Sequence, residues 1–129
     1  MNLSNFTRIP RNRTGRHVTD GVLLHVTEQA GATISIPSEW RNKVSSRQPL
    51  FAVVMLSDDQ DAIAIRLTTN EKEADARPVY SSGRIACGRL AKELGAQEGR
   101  YTFHYRTASE DGTTAIFMTP KALRKGVES

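Results

Sequence analysis

Basic side chains are the residues of this sequence whose type and placement point to a chemistry, namely the binding of phosphate groups. Residues 1–20 carry four arginines against one carboxylate, a local net charge of +3 (4 − 1), and residues 120–129 carry +2 (3 − 1). Because the whole chain is +4, the remaining residues sum to −1 (4 − 3 − 2). The arginines of this N-terminal arm are Arg8, Arg11, Arg13 and Arg16. A polyanion would meet these arms first, through salt-sensitive contacts, although a solvated tail without a partner has the same composition.

Side chains that commonly carry catalysis or bind metal ions form no recognisable set. They are His17, His25, His104, Asp58, Asp59, Asp61 and Cys87. The histidines lack a helical i, i+4 pair, and the three aspartates lack the ligand number of a calcium loop. The cysteine lies in an apolar strand context, where a thiol behaves as a small hydrophobic side chain. We therefore expect no catalytic residue, no metal, no cofactor and no enzyme activity.

Length and composition define the molecule that must position the basic residues. A chain of 129 residues is typical of one domain with one core. Apolar residues make up 38% and aromatic residues 6%, which predicts a lean, aliphatic core. One cysteine excludes an internal disulfide, and the absence of a long apolar run argues against a signal peptide or a membrane segment. We expect a cytoplasmic protein that does not bind membranes.

Periodicity and turn residues predict the same order of elements twice. The expected strands cover residues 22–27, 33–36, 50–56, 62–67, 78–81, 84–87, 100–106 and 114–118, and the expected short helices cover 39–44 and 89–94. Ser38 is the expected N-cap of the first helix, Gly95 ends the second, and Trp40 is expected in the core. The prediction is a mainly β fold with short helices.

The domain organisation follows from this repeat. A single domain over 21–118 contains two strand–helix–hairpin modules, residues 21–68 and 77–118, joined by a linker over 69–76. The arm over 1–20 is read as extended or disordered in isolation, and the basic tail over 119–129 is expected to be little buried.

The run of residues 83–99, GRIACGRLAKELGAQEG, resembles the AbrB/SpoVT superfamily, whose motif is a Gly-Arg-Ile strand, a breaker, a short basic helix and a Leu-Gly step. The first half echoes it through Gly31, Ile34, Ile36, Pro37, Glu39, Trp40 and Arg41. Two such modules in one chain are similar to the duplicated, MraZ-like arrangement. The sequence departs from the motif at Gly88, where the family usually has proline, and at Ala32-Thr33, which lacks the arginine.

The resemblance implies a swapped-hairpin or double-psi-like barrel that presents arginines from strand and helix to double-stranded DNA. Position by position, it implies DNA contacts at Arg84, Arg89 and Lys92 in the second half and at Arg41 and Lys43 in the first. Arginine suits the task because its guanidinium can grip a phosphate or a guanine edge with two hydrogen bonds. Solvated surface charge is the alternative role for the same residues.

Two functions follow from these observations. The first is a DNA-binding transcriptional regulator whose arginines and basic arm contact the duplex. The alternative is a non-enzymatic protein-binding module, such as an inhibitor or adaptor encoded by a mobile element, for which the near-neutral body is suited. A homodimer is favoured by the resemblance, whereas two fused modules could also close within one chain. Tyr80, Tyr101, Phe103 and Tyr105 leave base stacking open as a role for aromatic residues.

Overall fold

The computed structural model describes residues 17–29 and 31–123 of the chain. Within these ranges the backbone forms eight strands and two short helices. The strands are β1 (Val22–Thr27), β2 (Gly31–Ser35), β3 (Phe51–Leu56), β4 (Ala62–Thr68), β5 (Arg77–Pro78), β6 (Arg84–Ala86), β7 (Gly99–Ala108) and β8 (Thr114–Met118), and the helices are α1 (Ser38–Val44) and α2 (Gly88–Leu94). Single 3-10 turns occupy Val18–Asp20 and Lys121–Leu123.

The strands form one antiparallel sheet in the order β5-β3-β4-β8-β7-β1-β2-β6. The two outermost strands, β5 and β6, are consecutive in the chain and meet at a bridge between Val79 and Ile85. Arg77 reinforces this junction, because its Nη1 donates a hydrogen bond to the Ala86 carbonyl at 2.7 Å. The sheet therefore curls into a nearly closed barrel, and the predicted mainly β fold with short helices is confirmed.

The strand pairings are symmetric between the two halves of the chain. If β1 to β4 are exchanged in order with β5 to β8, each pairing between the halves becomes another pairing that is present. β1 pairs with β7 of the second half, just as β5 pairs with β3 of the first, while the β2–β6 and β4–β8 pairings map onto themselves. Two hydrogen bonds repeat in the same way: the Ile36 amide donates to the Gly83 carbonyl at 2.9 Å, and the Cys87 amide donates to the Ala32 carbonyl at 3.0 Å. The barrel has an internal two-fold arrangement in which each half supplies its first strand to the hairpin of the other, and the two halves close within one chain.

The core is largely aliphatic, as expected, with three large aromatic exceptions. Phe103 and Phe117 are fully buried, and the predicted burial of Trp40 is confirmed by an exposed fraction of 3%. The Trp40 ring meets Phe117 edge to face at 6.0 Å, and its Nε1 donates to the Gly112 carbonyl at 2.7 Å. Few aromatic residues thus suffice because they lie at the centre, where each buries a large apolar area.

The helix ends differ in how well the sequence predicts them. Gly95 ends α2 in the left-handed conformation (φ 64°), as expected of a glycine just beyond a helix. The expected N-cap of α1 is wrong by one residue: the cap is Pro37, in an extended conformation, and Ser38 is already helical. Proline holds φ near −65° in both settings, so it can occupy the boundary position without a capping side chain.

Both ends of the described chain pack on the barrel. The arginines Arg8, Arg11, Arg13 and Arg16 lie outside the described residues, but Val18–Asp20 form a 3-10 turn in which the His17 amide donates to Asp20 Oδ2 at 2.7 Å. At the other end Leu123 is only 6% exposed. The expectation of little burial in the tail is therefore wrong at this residue, because covering a leucine side chain stabilises the fold by about 2 kcal/mol.

None of the helices in the described ranges combines the length and the apolar character needed to span a membrane.

Candidate nucleic-acid interface

A cleft of about 420 Å³ lies between α1, the segment that follows it over 45–50, and residues 79–81 at the turn between β5 and β6. Its lining includes two guanidinium groups, those of Arg41 and Arg47, together with polar side chains such as Asn42 and Gln48. No carboxylate belongs to the described residues that line it. We call this feature the α1 cleft. Its composition suits an anionic ligand, because a cation with no competing carboxylate remains available to phosphate.

Arg41 is built into the wall of the α1 cleft rather than projecting freely from the helix. Its Nη1 donates to the Ser81 carbonyl at 3.1 Å, and its Nε lies 3.2 Å from the position that a Cβ would take at Gly83. That Nε is buried and has no hydrogen-bond partner within the described part of the chain. Arg41 therefore couples α1 to the β5–β6 turn and keeps donor capacity that the protein leaves unused.

Arg84 follows the same turn and lies on the outer face of the barrel. Its neighbour Ile85 is fully buried, so alternation along β6 directs Arg84 outward, where it is exposed. Gly83, which Arg41 covers, immediately precedes it in the chain. The structure thus brings Arg41 and Arg84, a helix arginine and a strand arginine, to the two sides of one glycine.

Three exposed cations lie on α1, on the segment that follows it and on β6, and their side chains have no internal partners. The side chains of Lys43, Arg47 and Arg84 make no hydrogen bond or ion pair with any residue in the described ranges 17–29 and 31–123. By contrast, Arg66 pairs with Glu73 at 2.8 Å. Together with Arg41 and the α1 cleft, these cations define a surface that we call the α1 face.

The N-terminal arm joins the barrel at the end that carries Arg84. Leu23 of β1 pairs with Ser35 of β2, and Ser35 pairs with Arg84 of β6, so the three residues form one row across the sheet. Neighbouring strands are about 4.8 Å apart, which places β1 roughly 10 Å from β6. The chain therefore enters β1 within one or two side-chain lengths of Arg84.

Arg89 and Lys92, the other predicted DNA contacts, lie at a different place. Both are on α2, at the opposite end of β6 from the β5–β6 turn. They border a cleft of about 920 Å³, which we call the α2 cleft and whose lining includes Val26, Ala32 and Ala96. The Arg89 side chain is 88% exposed and its Nε lies 3.9 Å from Glu93 Oε1. Such an exposed ion pair contributes little to the stability of the fold. The α2 cleft corresponds to the α1 cleft under the internal two-fold arrangement, but it is more apolar and contains a carboxylate.

Two carboxylates of the acidic turn between β3 and β4 accept hydrogen bonds from within the turn. Ser57 Oγ donates to Asp59 at 2.8 Å, and the Asp61 amide donates to Asp59 at 3.3 Å. The Asp61 side chain and Ser57 hold the pKa of Asp59 below its usual value, whereas the hydrogen bond shared with Asp59 raises the pKa of Asp61. Over residues 17–29 and 31–123 there is no cluster of three or more His, Cys, Asp or Glu side chains placed to hold a metal ion.

Cys87 is fully buried beneath α2, as expected of a small hydrophobic side chain. Burial raises the pKa of its thiol to about 12, and the nearby Arg77 opposes this shift only in part. Because the thiolate is the reactive form, the residue is protected from alkylation in the folded protein.

Sequence reasoning does not find Arg47 in the α1 face, and it names Tyr80 only as one of four aromatic residues open to base stacking. Arg47 lies in an irregular segment without periodicity, so nothing in the pattern relates it to Arg41. Tyr80 falls at the end of a predicted strand, yet its ring is 55% exposed beside the cleft, whereas Phe103 is fully buried. One weak signal could have pointed to Arg47. It is a basic residue in the irregular segment after α1, six residues beyond Arg41.

No protein-family model, no curated protein and no solved structure matches this chain.

Proposed function

We propose that this protein is a cytoplasmic DNA-binding regulator of transcription that contacts the duplex through the α1 face and the basic N-terminal arm. The observation that carries the proposal is the α1 face itself, where Arg41, Arg47 and Arg84 surround one turn and the lining of the cleft contains no carboxylate. The AbrB/SpoVT resemblance adds the regulatory role and a strand arginine and a helix arginine as its DNA contacts.

Charge placement supports phosphate binding more than it supports binding of a neutral ligand. The residues between the two basic termini are near neutral in sum, so the cations of the α1 face are a local concentration of charge on that body. Guanidinium groups at the α1 face would contact phosphate oxygens, and the arm, which enters β1 near Arg84, would follow the adjacent groove. Sequence preference would come from whichever of these arginines reaches a base edge.

The test is a titration of fluorescently labelled duplex DNA at several salt concentrations. We expect the logarithm of the association constant to fall linearly with the logarithm of salt concentration, with a slope of about −0.9 for each phosphate neutralised. The variant Arg47→Gln/Arg84→Gln should weaken binding and make the slope shallower by up to about 2. Replacing Arg8, Arg11, Arg13 and Arg16 by glutamine should weaken binding further and make the slope shallower still.

A matched control changes two arginines elsewhere on the barrel. Arg100 and Arg106 are exposed on β7 and have no partner in the described ranges, so Arg100→Gln/Arg106→Gln removes the same charge from a different surface. Equal weakening by both double variants would mean that net charge alone drives binding. Absence of binding by the full chain at physiological salt would refute the proposal.

The α2 cleft favours a second candidate function, the binding of a protein partner. Its floor is formed by small apolar residues, including Ala32, Ala91 and Ala96, and such a cleft can accept a large side chain from another protein. If Ala96→Asp leaves DNA titrations unchanged but abolishes a protein interaction captured by the full chain, the two surfaces act separately.

A further inference from the structure

The exposed ring of Tyr80 forms part of the α1 cleft and has no role in the core. Tyr80 and Met55 are the large hydrophobic side chains that stand exposed within residues 17–29 and 31–123, at 55% and 41% respectively. Met55 lies on β3, away from the α1 face, whereas Tyr80 borders the same cleft as Arg41 and Arg47. An exposed aromatic ring beside two guanidinium groups is the combination that binds a base together with its phosphate.

The backbone around Tyr80 is held in place before any ligand arrives. The Tyr80 amide donates to the Arg84 carbonyl at 3.0 Å, and the Gly83 amide donates back to the Tyr80 carbonyl at 2.8 Å. The Val79 amide donates to Leu50 at 2.9 Å, which joins the turn to the opposite wall of the cleft. Because this platform is ordered in advance, a bound base would not have to order it.

The size of the cleft limits what can enter it. About 420 Å³ falls in the range of small-ligand sites, roughly 300–1,000 Å³, and is far too small for a double helix. A paired base cannot leave its stack to reach the cleft without breaking its pairing, whereas an unpaired base is already free to do so. Asn42 and Gln48 also line the cleft, and their amides can both donate to and accept from a base edge.

We propose that the α1 cleft holds a single unpaired nucleotide of DNA, with its base stacked on Tyr80 and its phosphate on Arg41 and Arg47. This rests on the proposed function, since the DNA must first be brought to the α1 face, and it adds that an extrahelical nucleotide is preferred over a perfect duplex. Arg41 Nη1 already donates to the Ser81 carbonyl, so a phosphate would contact the guanidinium N–H groups that this hydrogen bond leaves available.

The experiment compares three labelled probes with the full-length protein: a perfect duplex, the same duplex with one unpaired adenine in its centre, and the corresponding single strand. We expect the bulged duplex to bind between about 5-fold and about 160-fold more tightly than the perfect duplex, the range that one base–aromatic stack supplies. Tyr80→Leu should reduce this ratio to about 1. Tyr80→Phe should keep the ratio.

Met55→Leu is the matched control, because it changes an exposed apolar side chain remote from the cleft, and thermal unfolding shows that each variant is folded. Salt-sensitive binding of the perfect duplex with no preference for the bulge would overturn this inference while leaving the proposed function intact. A preference that persists in Tyr80→Leu would overturn it as well. If none of the three probes binds, both proposals fail. A 5-bromouracil placed at the bulge should crosslink to Tyr80, and crosslinking to Tyr101 instead would contradict the assignment.

Discussion

At the scale of single residues, Trp40 and Cys87 show how side chains that look functional in the sequence serve the core. Trp40 fills space against Phe117 and ties α1 to the β7–β8 turn through the Gly112 carbonyl. Cys87 occupies the start of α2 at complete burial. Both roles could be predicted from the apolar context of each residue, whereas the partner of the indole N–H, 72 positions away, could not.

Trp40→Phe should lower the free energy of unfolding by about 1–3 kcal/mol, because it keeps a ring in the core but leaves the Gly112 carbonyl without its donor. Urea unfolding followed by circular dichroism measures the change, since the variant loses its only tryptophan. Tyr80→Phe, at an exposed ring, serves as the control and should stay within about 0.5 kcal/mol of the parent. A smaller loss for Trp40→Phe than for this control would show that the hydrogen bond contributes nothing.

Cys87 should make stability depend on alkaline pH. Its thiol has a pKa near 12 in the folded state against 9.0 for an unperturbed thiol, so the folded state retains the proton that the unfolded chain releases above pH 9. Stability is therefore complete below pH 9 and is lost as pH rises toward 12, by about 1.4 kcal/mol for each unit.

The measurement is the free energy of unfolding from pH 8 to 10.5 for the parent and for Cys87→Ala. Lysines and tyrosines titrate in both proteins, so only the difference between the two curves reports on the thiol. The two curves should converge as pH rises. Parallel curves would mean that the thiol ionises equally in both states.

At the scale of elements, the β5–β6 turn is the unit on which the α1 face depends. Gly83 has φ +84°, and a Cβ there would lie 3.0 Å from the Ile36 carbonyl and 3.2 Å from Arg41 Nε. The Ile36 carbonyl cannot move easily, because the amide of the same residue donates a hydrogen bond to the Gly83 carbonyl. The glycine is thus required both by its conformation and by the close approach of β2 and Arg41.

Gly83→Ala should destabilise the protein by roughly 1–3 kcal/mol and should also weaken DNA binding by displacing Arg41. Gly88→Ala is the control, because a Cβ at that position, at the start of α2, meets nothing within 4 Å. It should change stability by less than about 1 kcal/mol. Thermal unfolding and the duplex titration together test the prediction, which a neutral Gly83→Ala would contradict.

The order and type of the elements could be predicted because each follows from local pattern: alternation along β1, β4 and β8, and glycine after α2. The α1 face could be predicted only in part. Arg41 and Arg84 follow from the motif, but their convergence on Gly83 depends on the pairing of β2 with β6, which joins residues about 50 positions apart. Local pattern carries no record of such a pairing. The resemblance groups Arg89 and Lys92 with Arg84, whereas α2 places them beside a different cleft.

At the scale of the whole molecule, the internal two-fold arrangement makes the two halves depend on each other. Four strand pairings join the halves: β1–β7, β2–β6, β3–β5 and β4–β8. A half taken alone would lose all four and would expose the inner face of its strands.

Cleaving the chain between Glu71 and Lys72, both exposed in the linker, should therefore give two fragments that are unfolded separately and fold when mixed. Circular dichroism and size-exclusion chromatography of each fragment and of the equimolar mixture measure this. A fragment that unfolds cooperatively as a monomer would show that one half contains an independent core.

The junction between β5 and β6 has a consequence for aggregation. Within the described residues, closure at this junction rests on one bridge and on the Arg77 side chain, whereas β3 and β4 share a ladder of six residue pairs. Opening at this point would leave β5 and β6 as the two free edges of the sheet, and the unpaired backbone of an edge strand is a template for pairing with other chains. The narrowest part of the sheet is thus the place where a barrel of this kind would begin to exchange strands with a neighbour or to form fibrils.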